Sequence, residues 1–352
     1  MEEFRRAFSR IEKISTLANE DRVNVALIDD GVDICDLDNY NNVVQTAGFS
    51  CCPPLGRSER PWHRSGRGHG TIMANMIVRV NPWVYLYVIR IQESTSRTGN
   101  RMIYTDSAAT GIKAATDLHV NIISISWTVE SKVETGMNTT EIGKDKQTIA
   151  STAIANLGAA VDDVIRDGKI LMFCSTSDDI MFSEMDILPY QKGQKNVFRI
   201  GAALPLGQRD HQSEEEDNID FYMPGNRVAA ALNPRSADVI KYHDGASVST
   251  ALAAGLGSLI MHCAYIAQKH LEEKIQPGNN IPLGRLREAL RRRHNMHTAF
   301  TNIDAPEWKK KKYLPVWKVF GPAAEEMNRM KSDDDKMDVI VRLVQNLCYR
   351  IL

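Results

Sequence analysis

Three short segments put a reactive side chain where the local backbone would expose it. Asp29 closes the apolar run Val23–Ile28 and is followed by Asp30-Gly31. A carboxylate at the carboxyl end of a strand lies at the edge where open α/β sheets gather ligands. An Asp before Gly at a strand end is also an ordinary turn residue. His69 sits in Gly66-Arg67-Gly68-His69-Gly70-Thr71, directly ahead of a helical run. The flanking glycines permit close backbone approach, Thr71 can cap the helix, and the ring is left free to enter a cleft. Its plain reading is a loop histidine. Ser247, in Asp244-Gly245-Ala246-Ser247-Val248-Ser249, opens an apolar helix. The N–H groups of a first helical turn can hold an oxyanion, though a serine there is more simply an N-cap. Cys174 ends an apolar strand run and reads as a small buried hydrophobe rather than a nucleophile.

The elements that must position these groups alternate. Val23–Ile28, Val84–Ile91, Ile122–Trp127, Ile170–Cys174 and Val197–Ala203 read as strands, and Thr71–Val80, Ser107–Leu118 and Ala150–Arg166 carry helical spacing, with a stop at Asp167-Gly168. Such alternation predicts an α/β fold whose parallel sheet is covered on both faces. Ala246–Ala267 has no Asp, Glu, Lys or Arg and is long enough to span a membrane. Its dense Ala, Ser, Thr and Gly, with His262 inside, fit instead a helix enclosed by close-packed neighbours, so no membrane span is expected. After a break at Pro277, Gly278 and Pro282 the character changes. Nine Lys/Arg against three acids between Arg285 and Lys312 form a basic stretch, Trp308 and Tyr313 flanking its lysine run. An amphipathic tail from Met337 follows Ser332 and Asp333–Asp335, which suit a helix cap. The organisation predicted is a helical lead-in over residues 1–20, an α/β domain over 21–275 and a basic helical C-terminal extension over 276–352.

At 352 residues, 43% hydrophobic and 25% charged, the chain can bury a large core without staples. A net charge of −1 excludes a global bias toward nucleic acid or anionic lipid. The basic stretch, with no stacking aromatics among Arg291–Arg293, reads as solvated or internally paired, so a nucleic-acid partner is not expected. Cys35, Cys51, Cys52, Cys174, Cys263 and Cys348 show neither disulfide-scaffold nor zinc spacing. Charged residues interrupt the first seventeen positions, so no signal peptide is read and a reducing, cytoplasmic setting is expected.

Taken together, the order Asp, His, Ser with these local sequences resembles the subtilisin-like serine peptidases (subtilases). Asp29-Asp30-Gly31 stands for that family's Asp-Ser/Thr-Gly, Gly68-His69-Gly70-Thr71 matches Gly-His-Gly-Thr, and Gly245-Ala246-Ser247-Val248-Ser249-Thr250-Ala251 corresponds to Gly-Thr-Ser-Met-Ala-Thr-Pro. Ile122-Ile123-Ser124-Ile125-Ser126-Trp127 resembles its substrate strand and Met223-Pro224-Gly225 its Ala-Pro-Gly. The likeness runs from about Val23 to Gln268, and the style around Cys174-Ser175 and Ser249–Gly255 is similar to intracellular subtilase-like domains of filamentous fungi. The resemblance implies a three-layer fold with a central, mostly parallel sheet plus a small helical C-terminal extension. It implies a serine endopeptidase in which Ser247 attacks the scissile carbonyl and forms an acyl-enzyme, His69 takes its proton, and Asp29 orients the imidazole. Ser124, Ile125, Ser126, Trp127, Ser175 and Thr176 would line an extended polypeptide substrate, paired as an added strand.

Departures from the pattern keep a second reading open. Register puts Ser177 where the family has its oxyanion asparagine, with Asp178 beside it. Loss of one such donor costs on the order of 10²–10³ in rate, and an ionised Asp repels the developing charge. The alternative is therefore a catalytically weakened or inactive module serving in peptide binding or signalling. Asp30 beside Asp29 is also unusual, but successive strand residues face opposite ways, so the carboxylates need not compete. No propeptide is read ahead of Asp29, which fits an intracellular branch or a module adjoining other domains in a longer polypeptide. No cofactor is required by this chemistry, and no loop carries a clear pattern for the calcium that many subtilases bind.

Overall fold

The computed structural model describes residues 1–11, 18–41, 43–54, 58–95, 101–130, 141–176, 187–189, 197–208, 219–230, 241–274, 285–303 and 312–351. Its strands are β1 Asn24–Asp29, β2 Gln45–Ser50, β3 Tyr85–Arg90, β4 Glu93–Thr95, β5 Arg101–Ile103, β6 Ile122–Ile125, β7 Val129–Glu130, β8 Leu171–Ser175, β9 Ile187–Leu188, β10 Val197–Ala203, β11 Phe221–Pro224, β12 Val228–Ala229 and β13 Tyr242–His243. Its helices are α1 Glu2–Phe8, α2 His69–Val80, α3 Thr105–Asp117, α4 Glu141–Asp167, α5 Ala246–Lys274, α6 Leu286–Ala289, α7 Arg293–Thr301, α8 Trp317–Arg329 and α9 Asp333–Leu347.

Seven strands form one sheet in the order β11-β10-β8-β6-β1-β3-β2, and every pairing in it is parallel. β1 lies near the middle between β3 and β6, and its apolar run follows from that place. Val25 and Leu27 enter the core shared with α1, α2, α5 and the C-terminal helices, while Ala26 and Ile28 enter the core beneath α3 and α4. A strand covered on both faces needs apolar residues at both parities. The five strand runs and the covered parallel sheet expected from the sequence are thus present, in three layers. Two edge strands, β2 and β11, were not anticipated. All six residues of β2 are only half-buried, and the sequence Gln45–Ser50 has no apolar run to announce it.

α5 is the central helix of one layer. Its apolar stretch meets a membrane-length test, yet 94% of that window is buried inside the protein. Small residues make this possible: a Cβ on Gly255 would lie 2.8 Å from the Ile77 carbonyl of α2, and one on Gly257 3.1 Å from the Phe173 ring of β8. The C-terminal helices join the same core through Leu286, Met296, Phe300, Phe320, Ile340 and Val344. Ser332 caps α9 as its position suggests, accepting a hydrogen bond from the Asp335 N–H at 3.1 Å.

The basic stretch is largely spent internally where it is described. Arg287 donates to the Arg22 carbonyl at 2.7 Å, Arg291 to that of Lys169 at 2.8 Å, and Arg293 to that of Val197 at 3.2 Å. Arg293 also pairs with Asp220 at 2.6 Å and lies over the Phe198 ring. Lys312 donates to the Ile219 carbonyl, and Tyr313 is buried. Trp308 and Lys309–Lys311 lie outside the described residues.

Candidate active site

Asp29 is the last residue of β1, at the carboxyl end of the sheet, and is fully buried. The chain then turns at Gly31, whose φ of +98° and whose missing Cβ (which would sit 2.2 Å from the Arg64 carbonyl) both require glycine. α2 begins at His69 directly against this turn. Gly70 allows it, since a Cβ there would come within 2.2 Å of the Gly31 carbonyl and 2.9 Å of Asp30 Oδ1. The result places His69 Nδ1 2.9 and 3.0 Å from the two Asp29 oxygens. Asp29 Oδ1 also accepts the Asp30 N–H at 2.8 Å.

The two adjacent aspartates do face apart. Asp30 accepts from the Arg67 N–H at 2.6 Å, the Ser65 hydroxyl at 2.7 Å and the Gly70 N–H at 2.7 Å. It is the anchor of the loop that delivers His69, a role its sequence position did not disclose. Thr71 does not cap α2. Its hydroxyl accepts the Asp33 N–H at 2.9 Å and so ties the exit of β1 to the same helix. The N-cap position is Gly68, in the left-handed region at φ 83°.

Ser247 lies in the first turn of α5, half-buried, and does not act as its N-cap. Its Oγ donates to the Ser126 carbonyl at 3.3 Å, and Ser126 Oγ donates back to the Ser247 carbonyl at 3.3 Å. No hydrogen bond joins His69 to Ser247 among the described residues. The start of α5 is further located by Ser249, which donates to the carbonyls of Met223 and Pro224, and by the Gly245 N–H, which donates to the Gly225 carbonyl at 2.7 Å. This is the local reason for Met223-Pro224-Gly225.

The remaining candidate residues divide. Ser124 and Ile125 are fully buried within β6, whose ladders to β1 and β8 both run to Ile125. Ser126 and Trp127 lie just beyond those ladders, with Trp127 Nε1 donating to the Ile28 carbonyl at 2.8 Å. Ser175 ends β8 and Thr176 follows it, both buried, the Thr176 N–H donating to the Ile200 carbonyl. Ser177 and Asp178 lie outside the described residues. Cys174 is fully buried, which pushes its thiol far above the ordinary range and leaves it no nucleophilic thiolate.

One participant carried no signal in the sequence. Arg101, on the short hairpin β4–β5, donates from Nη2 to Asp29 Oδ1 at 2.6 Å, places Nη1 3.2 Å from His69 Nδ1, and pairs through Nε with Glu93. Nη1 is also 3.4 Å from the Ser126 carbonyl. Burial alone would raise the Asp29 carboxyl. The Arg101 guanidinium, and then His69, more than reverse this and hold it well below the usual carboxylate range. The corner thus holds an ionised acid, an imidazole on it, and a hydroxyl sharing a carbonyl with a cation. Among the described residues, no group of three or more His, Cys, Asp or Glu stands ready to hold a metal ion.

The model of the subtilase family matches residues 20–301. A search of curated protein sequences returned no match. Among solved structures, a mutant of the protease domain of PatA is 15% identical, with 85% of this chain and 95% of that chain covered at a TM-score of 0.50. The self-cleaved protease domain of PatA is 16% identical, covering 85% and 96% at 0.50. A cold-adapted subtilisin-like serine proteinase is 16% identical, covering 68% and 75% at 0.48.

Proposed function

The chain belongs to the subtilase family, and from that premise we propose that it is a serine endopeptidase working through Asp29, His69 and Ser247. The observation that carries this reading is the His69 imidazole, held by Nδ1 on both oxygens of a buried carboxylate at the ligand-binding edge of the sheet. With its proton on Nδ1, His69 presents a free lone pair at Nε2. Ser247 Oγ, bonded to the Ser126 carbonyl, has to leave it to meet that lone pair, a contact of the kind that tightens only when substrate binds. Attack on a peptide carbonyl then moves the hydroxyl proton to Nε2, and Asp29, already ionised, stabilises the imidazolium. N–H groups in the first turn of α5 face the developing oxyanion. The imidazolium returns its proton to the departing amine, and water, deprotonated by the same Nε2, releases the acyl group.

An extended polypeptide has its pairing edge where the backbone leaves the β6 ladder, at Ser126 and Trp127, with Ser175 and Thr176 across the cleft. Ser124 and Ile125 support that edge from within the sheet. A second reading, a weakened or inactive module that binds peptide, is favoured by one observation: Ser247 Oγ is bonded to the Ser126 carbonyl and not to His69. Labelling by a fluorophosphonate and hydrolysis of a generic peptide separate the two. Both are expected in the native chain and absent in Ser247→Ala; peptide binding without either activity would establish the second reading. A cytoplasmic setting and independence of any metal cofactor remain part of the proposal, the latter checked by activity after exhaustive chelation.

A further inference from the structure

A cavity of about 280 Å³ lies between α1, the end of α2, the end of β11 and the middle of α5. Its walls are apolar: Val80, Met223, Leu252 and Leu256, all buried, with Pro224 and Val316 beside them. Two half-buried arginines, Arg5 and Arg79, stand at its rim. Arg5 donates to the Arg79 carbonyl at 3.2 Å and lies over the Tyr40 ring at 4.1 Å, while Arg79 donates to the Ala229 carbonyl at 2.7 Å. Neither meets a carboxylate among the described residues, whereas Arg101 has Asp29 and Glu93, and Arg293 has Asp220. A guanidinium carries five N–H donors and cannot shed its charge. The two forks therefore have donors to spare beside an apolar hole. The acids on the same rim are engaged: Glu2 pairs with Arg6 at 2.6 Å, and Asp38 accepts the Tyr40 N–H at 3.1 Å.

We propose that this cavity binds a small amphiphilic carboxylate, its head taken by Arg5 and Arg79 and its apolar body by the walls from α2, β11 and α5. The volume sets the size. An apolar cavity of about 150 Å³ holds benzene, so this one takes a body of roughly ten to twelve heavy atoms, that of a medium-chain acid. The charge sets the head. A carboxylate accepts charge-assisted hydrogen bonds from both forks, which an alcohol of the same length cannot match. Glu2 and Asp38 on the same rim favour a single negative charge over a phosphate dianion. The proposal is independent of the peptidase reading. Arg79 and Val80 end the helix that His69 begins, so about 15 Å of α2 separates the cavity from the imidazole.

The test titrates the full chain with decanoate, decanol and decylamine, which share one body and differ in the head, and reads binding by isothermal calorimetry. One decanoate per chain is expected, bound at least about tenfold more tightly than decanol, with decylamine weaker still. The double variant Arg5→Gln, Arg79→Gln should lose the preference for decanoate while still taking decanol. Val316→Trp, which fills the cavity from its rim without removing a side-chain hydrogen bond, should abolish binding of both. It serves if the double variant melts early, since Arg79 also holds the Ala229 carbonyl. Decanoate that gives no binding at about 1 mM, or that binds the Val316→Trp chain as well as the native one, overturns the proposal. So does a preference that survives loss of both arginines. Decanol binding as tightly as decanoate also overturns it, and points to an apolar side chain of a protein partner as the occupant.

Discussion

The two ends of the sheet use arginine in opposite ways. At the amino ends, Arg287, Arg291 and Arg293 reach the carbonyls of Arg22, Lys169 and Val197, residues that lead into or open β1, β8 and β10. Each satisfies an acceptor that has one sensible partner, so these contacts lock the C-terminal helices to the sheet. At the carboxyl end, Arg101 meets Asp29, Glu93, His69 Nδ1 and the Ser126 carbonyl together. Its partners have other claims on them. The same side chain fastens one element to another where its partners are backbone carbonyls and sets the charge of a buried acid where its partner is Asp29.

Substitutions at both ends test this contrast. The largest expected effect is on the contested acid: Asp29→Asn should lower kcat about 10⁴-fold by favouring the wrong imidazole tautomer, measured by steady-state hydrolysis with folding checked by circular dichroism. Next is its neighbour. Asp30→Ala strands three donors around Ser65, Arg67 and Gly70 and should destabilise the fold by about 3 kcal/mol in denaturant titration, with activity falling as the His69 loop loosens. At the other end, Arg293→Ala loses a carbonyl, the Asp220 pair and the Phe198 ring, at a cost of about 2 kcal/mol, with kcat/KM per folded molecule unchanged. That outcome is what a pure fastener predicts.

Acid denaturation tests the contested end differently. Asp29 titrates lower in the folded protein than in the unfolded chain, so its ionised form contributes stability that is complete above the ordinary carboxylate value of about 3.9 and is lost as pH falls below it. Arg101→Gln raises the folded value. The stability difference between pH 6 and pH 3 assigned to Asp29 should shrink by on the order of 1 kcal/mol, read from urea midpoints. Arg291→Ala should have the smallest effect, about 0.5–1 kcal/mol, since its Glu288 partner is 59% exposed and the Lys169 carbonyl is its main contact.

Much of the site was legible because its geometry is imposed by short-range rules. Asp29 follows an apolar run that only a strand covered on both faces would need, His69 lies among glycines that permit α2 to start against β1, and Ser247 opens a helix too rich in small residues to be anything but enclosed. Ser332 was readable as a cap for the same reason: its partner is three residues away. Thr71 was misplaced, because a hydroxyl near a helix start can serve either its own helix or a neighbouring loop, and the loop at Asp33 prevailed. Asp30 was readable as pointing away from Asp29 but not as the anchor of the His69 loop, whose residues lie 35 to 40 positions further on.

The chain order alone picks out the candidate groups and the elements carrying them, since periodicity, glycine placement and capping act over a few residues. Their company was left to long-range packing. Arg101 stands on a three-residue strand with no motif around it, 72 positions from Asp29, and it meets that carboxylate because the β4–β5 pair beyond β3 lies at the end of β1. Electrostatic partnership depends on distances across the sheet edge, and no local pattern of residues encodes those.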